Sequence, residues 1–122
     1  MRRNIKGRFQ MNVSAMRSTN KREEILLAKQ AADVSRILNL LGNEKRLLIL
    51  CYLMMQKEMK VGDIVDCVKL SQSALSQHLT KLRDEGLVEF RRESQTLFYR
   101  IADPRLFKLI KLLKKLYCED VT

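Results

Sequence analysis

The sequence predicts a mainly α-helical domain that carries a small β-hairpin. Two observations lead to this fold class. Apolar residues recur at helical spacing in several segments, and each segment is bounded by residues that start or stop helices. Before the last of these segments lie two short runs rich in β-branched and aromatic residues, which are typical of paired strands. A chain of 122 residues is long enough for one modest core and too short for two.

The first predicted helix spans Glu23 to Leu41, where apolar residues repeat at helical spacing until Gly42 ends it. Asn43 can cap a second helix, which runs from about Glu44 to Gln56. The second helix is apolar almost all round, as is typical of a central core helix. Its longest apolar run, nine residues from Leu47 to Met55, is far too short to cross a bilayer.

A short third helix is predicted near Val61 to Val68, and a fourth helix follows it closely. Ser71 can cap the fourth helix with its hydroxyl, and Gly86 supplies the left-handed residue that ends it. Between these two residues an apolar stripe recurs at helical spacing, formed by Leu75, Leu79 and Leu82. We therefore expect one narrow face of this helix to be buried and the rest to be exposed.

Two strands are predicted after the fourth helix, from Leu87 to Arg92 and from Thr96 to Ile101, with Glu93-Ser94-Gln95 between them. This centre has no Asn-Gly or Asp-Gly pair, so we expect a loop of three to five residues and no tight two-residue turn. A fifth helix begins at Asp103 and Pro104, because Asp caps helices and Pro favours the first helical position. Its apolar stripe consists of Leu106, Leu109, Ile110, Leu113, Leu116 and Tyr117.

The exposed face of the fourth helix has a composition that suits contact with DNA bases. Advancing about 100° per residue from the leucine stripe places Ser73, Gln77 and Thr80 opposite it, with Ser76 beside them. These side chains are hydroxyls and amides, and Gln can pair bidentately with adenine. The alternative is a merely solvated helix face. A polar-faced helix followed at once by a basic hairpin is the outline of a winged helix-turn-helix reader of DNA.

Two arginines, Arg91 and Arg92, flank the predicted tip of the hairpin. Arginines at such a tip can enter a minor groove or contact phosphates. The alternative is that they protect an exposed strand edge by their charge.

The net charge of +10 is unevenly distributed along the chain. Residues 1–22 hold seven of the 24 Lys and Arg and none of the 14 acidic residues, so residues 23–122 carry only +3. We interpret residues 1–22 as a basic, disordered N-terminal arm and residues 23–122 as the DNA-binding and dimerisation domain. The arm has three open interpretations: contact with phosphates, an inert extension with the true start at Met11 or Met16, or an organelle-targeting segment.

The first and fifth helices both carry broad apolar faces in a domain with a small interior. Packing of these helices across a two-fold axis buries both faces, which predicts a homodimer; the alternative is that they pack only on their own subunit. Such a dimer presents two recognition helices to successive major grooves and favours an inverted-repeat operator. Because we find neither a secretory signal nor a spanning segment, we expect a cytoplasmic protein without a membrane partner.

Residues 32–118 resemble the ArsR/SmtB family of bacterial winged-helix repressors. The resemblance lies in LLGNEKRLLILCYL of the second helix, LSQSALSQHLTKLRDEGLV around the fourth, and QTLFYRI of the second strand. It implies a DNA-binding regulator of transcription and no enzyme. By this resemblance the base-contacting positions are Gln72, Ser73, Ser76 and Gln77. The wider set that we expect to contact double-stranded DNA adds His78, Thr80, Lys81, Arg91 and Arg92.

Many members of this family sense metals, but this chain lacks their ligands. The thiol-rich metalloid motif would place cysteines at Lys60, Gly62 and Val65. Zinc sensing on the fifth helix needs Asp, His and Glu ligands, and residues 104–118 contain none of them. The single histidine, His78, is expected to contact a phosphate or to be partly packed. We therefore expect no metal and no cofactor.

Cys51 and Cys118 resemble the thiol pair of the persulfide-sensing branch of the family (BigR/HlyU-like). The resemblance implies that persulfide joins the two thiols by a disulfide or polysulfide bridge and that the protein then releases its operator. Cys118 follows Lys114 and Lys115 by one helical turn, and these cations favour its thiolate. We therefore expect Cys118 to react first and Cys51 to resolve the intermediate.

Two alternatives to a thiol sensor stay open. The cysteines can be structural, since small thiols pack well in cores. A thiol-based sulfur-transfer enzyme is the rival class, but the chain has no Cys-x-x-Cys pair and only four glycines, none of them in a phosphate-binding loop. The third cysteine, Cys67, lies near Asp63 and Asp66, whose charge disfavours a thiolate, so we expect it to be a bystander.

Overall fold

The computed structural model of this chain describes residues 20–118, which form five helices and three short strands. In chain order the elements are α1 (Lys21–Leu41), α2 (Glu44–Gln56), β1 (Met59–Lys60), α3 (Val61–Val68), α4 (Gln72–Asp84), β2 (Val88–Glu93), β3 (Thr96–Ile101) and α5 (Pro104–Cys118). The predicted mainly helical winged helix-turn-helix fold is confirmed. Within residues 20–118, the helices are all too short or too polar to span a membrane.

Helix α1 begins two residues earlier than the sequence pattern predicts. The Asn20 side chain accepts a hydrogen bond from the Glu23 amide at 2.8 Å and so caps the helix. Lys21 and Arg22, which we assigned to the N-terminal arm, are therefore helical. The rest of the predicted arm, residues 1–19, lies outside the described residues. The chain divides into two units, one ending at Arg36 and one starting at Ile37, and α1 runs through both.

Helix α2 forms the centre of the second unit. Its predicted cap is confirmed, since the Asn43 side chain accepts from the Arg46 amide at 3.0 Å. Ile49, Leu50 and Leu53 are fully buried. They share one core with the leucine stripe of α4 and with buried residues of α3 and α5, so α2 is the element that links the other helices of this unit.

The three strands form an antiparallel sheet in the order β1-β3-β2. Strand β1 was not predicted, because two residues are too few to form an alternating pattern. Met59 pairs with Tyr99 and Lys60 with Phe98, so β1 supports β3 near the base of the hairpin.

The tip of the hairpin is tighter than predicted. Glu93 pairs with Thr96, which leaves only Ser94 and Gln95 in the turn. Our expectation of a three- to five-residue loop was wrong. Ser94 takes the left-handed conformation, with φ of 59°, that tight hairpin turns require. The turn therefore forms without the glycine or asparagine that usually marks it in a sequence.

The end of α4 follows the prediction and directs the chain into β2. Gly86 has φ of 73°, and the amide of Leu87 donates to the carbonyl of Leu82 at 2.9 Å. This is the hydrogen-bond pattern that a left-handed glycine allows at a helix C-terminus. Leu87 and Val88 are buried directly afterwards, which joins the start of the hairpin to the core.

We predict that Ile49→Ala destabilises the protein by about 2–5 kcal/mol, because it leaves a cavity in a fully buried site. Met55→Ala is the matched control on the same helix, because Met55 is 48% exposed and its loss should cost less than about 0.5 kcal/mol. Urea unfolding of both variants measures the difference. Equal losses of stability would contradict the central role of α2 in the core.

Candidate nucleic-acid interface and thiol pair

Helix α4 presents a polar face to solvent. The Ser71 hydroxyl accepts from the Ala74 amide at 3.2 Å and caps the helix. Leu75, Leu79 and Leu82 are at most 2% exposed and turn one side of α4 into the core. Helical spacing predicts exposure of Ser73, Ser76, Gln77 and Thr80, and all four are exposed. The other exposed side chains of α4 are Gln72, Lys81, Arg83 and Asp84.

A groove of about 390 Å³ separates α4 from the hairpin. Gln72 and Ser76 line it from α4, Gln95 from the turn, Thr96 from β3 and Lys60 from β1. The last three residues were absent from the predicted interface. Their position depends on how the hairpin packs beside α4, and no local sequence pattern reports that packing.

The two faces of the hairpin meet different surroundings. Leu97 and Tyr99 line the groove beside α4, whereas Phe98 lines a second groove of about 320 Å³ with Tyr52 and Gln56 of α2. Residues directly opposite each other in paired strands share a face of the sheet.

This pairing separates the two arginines of the predicted interface. Arg92 pairs with Leu97 and so lies on the α4 side of the hairpin, where it is exposed. Arg91 pairs with Phe98 and lies on the opposite face.

Arg91 is held by two carboxylates. Its Nε and Nη2 atoms each donate to one oxygen of Glu58 at 3.0 Å, and Nη1 donates to Glu93 at 2.6 Å. The guanidinium carbon lies 4.2 Å from the centre of the Phe98 ring. The hydrogen bond from Arg91 is the main cause of a lowered pKa of Glu58. The charge of Arg91 is thus compensated within the protein, which the sequence pattern did not indicate.

His78 lies on the flank of α4 and is partly packed. Its Nδ1 atom is 3.5 Å from Nη1 of Arg46, a buried arginine whose Nε donates to the Leu40 carbonyl at 2.9 Å. Because arginine is only a donor, Nδ1 must be the acceptor in this contact. Burial, followed by the positive charges of Arg46 and Lys81, lowers the pKa of His78. The neutral imidazole is therefore the favoured form.

The fold brings Cys51 and Cys118 into electrostatic range of each other. Cys51 is half-buried in α2, and Cys118 is exposed at the end of α5, which packs on α2. Burial is the main cause of a raised pKa of Cys51, the negative charge of the Cys118 thiolate raises it further, and Lys114 opposes this shift.

The third cysteine lies elsewhere. Cys67 is half-buried in α3 and lines the second groove together with Asp63. Within residues 20–118, no three His, Cys, Asp or Glu side chains come together in a group able to hold a metal ion.

The segment from the start of α2 into the hairpin matches known proteins. The profile of the bacterial regulatory protein arsR family matches residues 43–89, from the cap of α2 into β2. The transcriptional activator HlyU of Vibrio cholerae is 44% identical over 93 residues, which cover 76% of this chain and 85% of HlyU. This chain belongs to the ArsR family.

Solved structures agree with this assignment. Reduced HlyU from Vibrio cholerae has a TM-score of 0.72 at 44% identity, over 76% of this chain and 97% of that one. The transcriptional repressor BigR from Xylella fastidiosa has a TM-score of 0.69 at 32% identity, over 81% of this chain and 98% of that one. Like these ArsR-family relatives, the chain is a DNA-binding regulator of transcription with a winged helix-turn-helix fold.

We predict that His78 makes the folded state less stable in acid. Its pKa lies below the ordinary value of 6.5 in the folded state, so the unfolded chain binds the proton more readily. The contribution of neutral His78 is fully present above the unfolded pKa and is lost as the pH falls through that value towards the folded pKa.

Chemical denaturation between about pH 8 and pH 5 tests this dependence. The free energy of unfolding of the wild type should fall more steeply with acid than that of His78→Gln. Gln77→Ala, an exposed change on the same helix, should keep the wild-type slope. If the free energy of unfolding falls with pH equally in the wild type and in His78→Gln, protonation of His78 does not contribute to the acid sensitivity.

Proposed function

We propose that this ArsR-family regulator is a homodimeric repressor in the bacterial cytoplasm that binds an inverted-repeat operator in its reduced state. Persulfide or a related reactive sulfur species joins Cys51 to Cys118 and releases the DNA. The observation that carries the DNA-binding half of this proposal is the exposed hydroxyl- and amide-bearing face of α4, which borders a groove shared with the hairpin.

The proposed base contacts are Gln72, Ser73, Ser76 and Gln77, because exposed amides and hydroxyls on a recognition helix can hydrogen-bond to base edges in the major groove. Thr80, Lys81 and Arg92 are proposed to contact the phosphate backbone or the adjacent groove. His78 is proposed to contribute by packing against Arg46, since its ring is already engaged beside that buried guanidinium.

A second copy of the chain is proposed to cover the apolar residues at the end of α5. Leu112, Leu116 and Tyr117 are 49%, 64% and 80% exposed. Large apolar side chains of α1 are exposed as well, among them Leu27 and Leu38. Clustered exposed apolar side chains favour an interface. A two-fold dimer through α1 and α5 would present its two α4 helices to successive major grooves of an inverted repeat.

The proposed sulfur chemistry begins at the exposed thiol. The Cys118 thiolate attacks the outer sulfur of a persulfide RSSH, which forms a Cys118–S–SH group and releases the thiolate RS⁻. The Cys51 thiolate then attacks the inner sulfur of that group, which forms a disulfide and releases HS⁻. If Cys51 is also converted to a persulfide, the two groups combine to a trisulfide and H₂S. The raised pKa of half-buried Cys51 supports its role as the second thiol to react.

Release of DNA is proposed to follow from the position of the two cysteines. Cys118 is on α5, which would form the dimer interface, and Cys51 is on α2, which shares the core with α4. A covalent link between them would shift α5 against α2 and so change the spacing of the two α4 helices in the dimer. Because the operator fixes that spacing, the bridged form would bind more weakly.

The relatives support this proposal to different degrees. BigR is named as a transcriptional repressor, whereas HlyU is named as a transcriptional activator. A solved structure of HlyU is specified as the reduced protein. We choose repression for this chain because a regulator that leaves its site on a signal most simply blocks transcription while it is bound.

We predict that Gln77→Ala weakens specific DNA binding by roughly fivefold to 150-fold, which corresponds to about 1–3 kcal/mol for one lost base contact. The probe is a duplex that the wild-type protein selects from a randomised pool, and binding is measured by fluorescence anisotropy at fixed salt. Gln56→Ala, an exposed glutamine on α2, is the control and should bind normally. Selection of no duplex by the reduced protein would refute the DNA-binding half of the proposal.

We predict that persulfide releases the wild type and Cys67→Ser from this duplex, and that a reductant restores binding. Cys51→Ser and Cys118→Ser should both stay bound.

Mass spectrometry should find added sulfur on Cys118 in the Cys51→Ser variant and much less on Cys51 in the Cys118→Ser variant. In the treated wild type, a mass lower by two hydrogens indicates a disulfide, and a mass increased by further sulfur atoms indicates a polysulfide bridge. If persulfide still releases Cys118→Ser, the assignment of the switch to Cys51 and Cys118 is wrong, while the DNA-binding half of the proposal stands.

A further inference from the structure

Glu58 is fixed to the domain by its backbone. It directly follows Lys57, which has φ of 72° and whose amide donates to the Leu53 carbonyl at 2.8 Å to end α2. The next residue, Met59, is buried and begins β1. The carboxylate of Glu58 is therefore presented from a short segment that is anchored on both sides.

Arg91 joins this anchored carboxylate to the hairpin. Two parallel N–H to oxygen bonds link it to Glu58, a third bond links it to Glu93, and its guanidinium stacks on Phe98. Single exposed ion pairs contribute little to stability, but a bidentate, stacked arginine with a second carboxylate has a well-defined geometry. We call Glu58, Arg91, Glu93 and Phe98 the wing clamp.

The wing clamp lies where the support of the sheet ends. Strand β1 pairs with β3 only at Phe98 and Tyr99. From Arg92 to Leu97 the hairpin is a two-stranded ribbon that continues past β1. Leu97 packs one face of this ribbon against the core, and on the opposite face Arg91 joins the ribbon to Glu58 by hydrogen bonds. The orientation of the tip relative to α4 thus depends on contacts on both faces of the hairpin.

We propose that Arg91 is a positioning residue, and that the wing clamp holds the tip of the hairpin, with Arg92 and Gln95, beside Gln72 and Ser76 of α4 so that both elements meet the same DNA. This inference rests on the proposed DNA-binding function. It assigns a role to Glu58, an acidic residue that a count of charges would place among the residues that oppose DNA binding.

The charge of Glu58 makes this proposal distinctive. Removing an acidic residue from a DNA-binding protein ordinarily strengthens binding, because phosphate repulsion falls. If Glu58 holds the hairpin, Glu58→Gln should instead weaken binding to the selected duplex by roughly threefold to tenfold. Glu89→Gln is the matched control, since Glu89 pairs with Arg100 at 2.6 Å on the same hairpin but below the tip. This variant should bind as tightly as the wild type or slightly tighter.

Salt dependence separates positioning from phosphate contact. Arg91→Lys keeps the charge but loses the bidentate geometry, so it should weaken binding as much as Glu58→Gln and leave the slope of log K against log salt unchanged. Arg92→Gln, which removes a proposed phosphate contact, should lower that slope by about one. The proposal is overturned if Glu58→Gln tightens binding, if it behaves as Glu89→Gln does, or if Arg91→Gln lowers the salt slope by about one.

Hydrogen exchange of the free protein provides a measurement that does not need DNA. In Glu58→Gln, amides of residues 92–97 should exchange faster, while the buried part of α4 keeps its wild-type protection. Unchanged exchange at residues 92–97 would also overturn the wing clamp. If the wild type selects no duplex at all, the proposed function fails, and the exchange measurement alone then decides whether Glu58 and Arg91 hold the tip.

Discussion

Burial of the leucine stripe of α4 is the constraint on which the candidate interface depends. Leu75, Leu79 and Leu82 are at most 2% exposed, and burial of each contributes about 1.5–3 kcal/mol. Because helical side chains repeat every 3.6 residues, fixing these three towards the core leaves only one direction for Gln77 and its polar neighbours. The hydrophobic effect therefore sets both the stability of the domain and the orientation of the face that is proposed to read DNA.

Helix α2 connects the two halves of the proposed mechanism. Its fully buried residues, such as Ile49 and Leu50, pack in the same core as the α4 stripe. The same helix carries Cys51 and packs on α5, which carries Cys118. Helix α2 therefore lies between α5 and the core residues of α4. Because close-packed cores transmit small displacements, a covalent link between Cys51 and Cys118 would be felt at α4. The proposed thiol sensor and the proposed DNA-binding face therefore lie in the same unit of the chain.

Net charge is a poor guide to which cations of this chain are available to a partner. Arg46 is buried and committed to the Leu40 carbonyl, and Arg91 is neutralised by Glu58 and Glu93. Arg92, adjacent to Arg91, is exposed on the α4 side of the hairpin. Two neighbouring arginines that look equivalent in a sequence therefore have opposite surroundings, since successive residues of a strand point to opposite faces of the sheet.

The sequence by itself determined the features that depend on residues three or four positions apart. These include the five helices, the caps at Asn43 and Ser71, the left-handed end at Gly86 and the polar face of α4. Only the tertiary structure decided the rest: the pairing of β1, the two-residue turn at Ser94, the contact of Arg91 with Glu58 and the approach of Cys51 to Cys118. Each of these depends on contacts between residues distant in sequence or on the packing of neighbouring elements, and local propensities carry no information about which distant segments will meet.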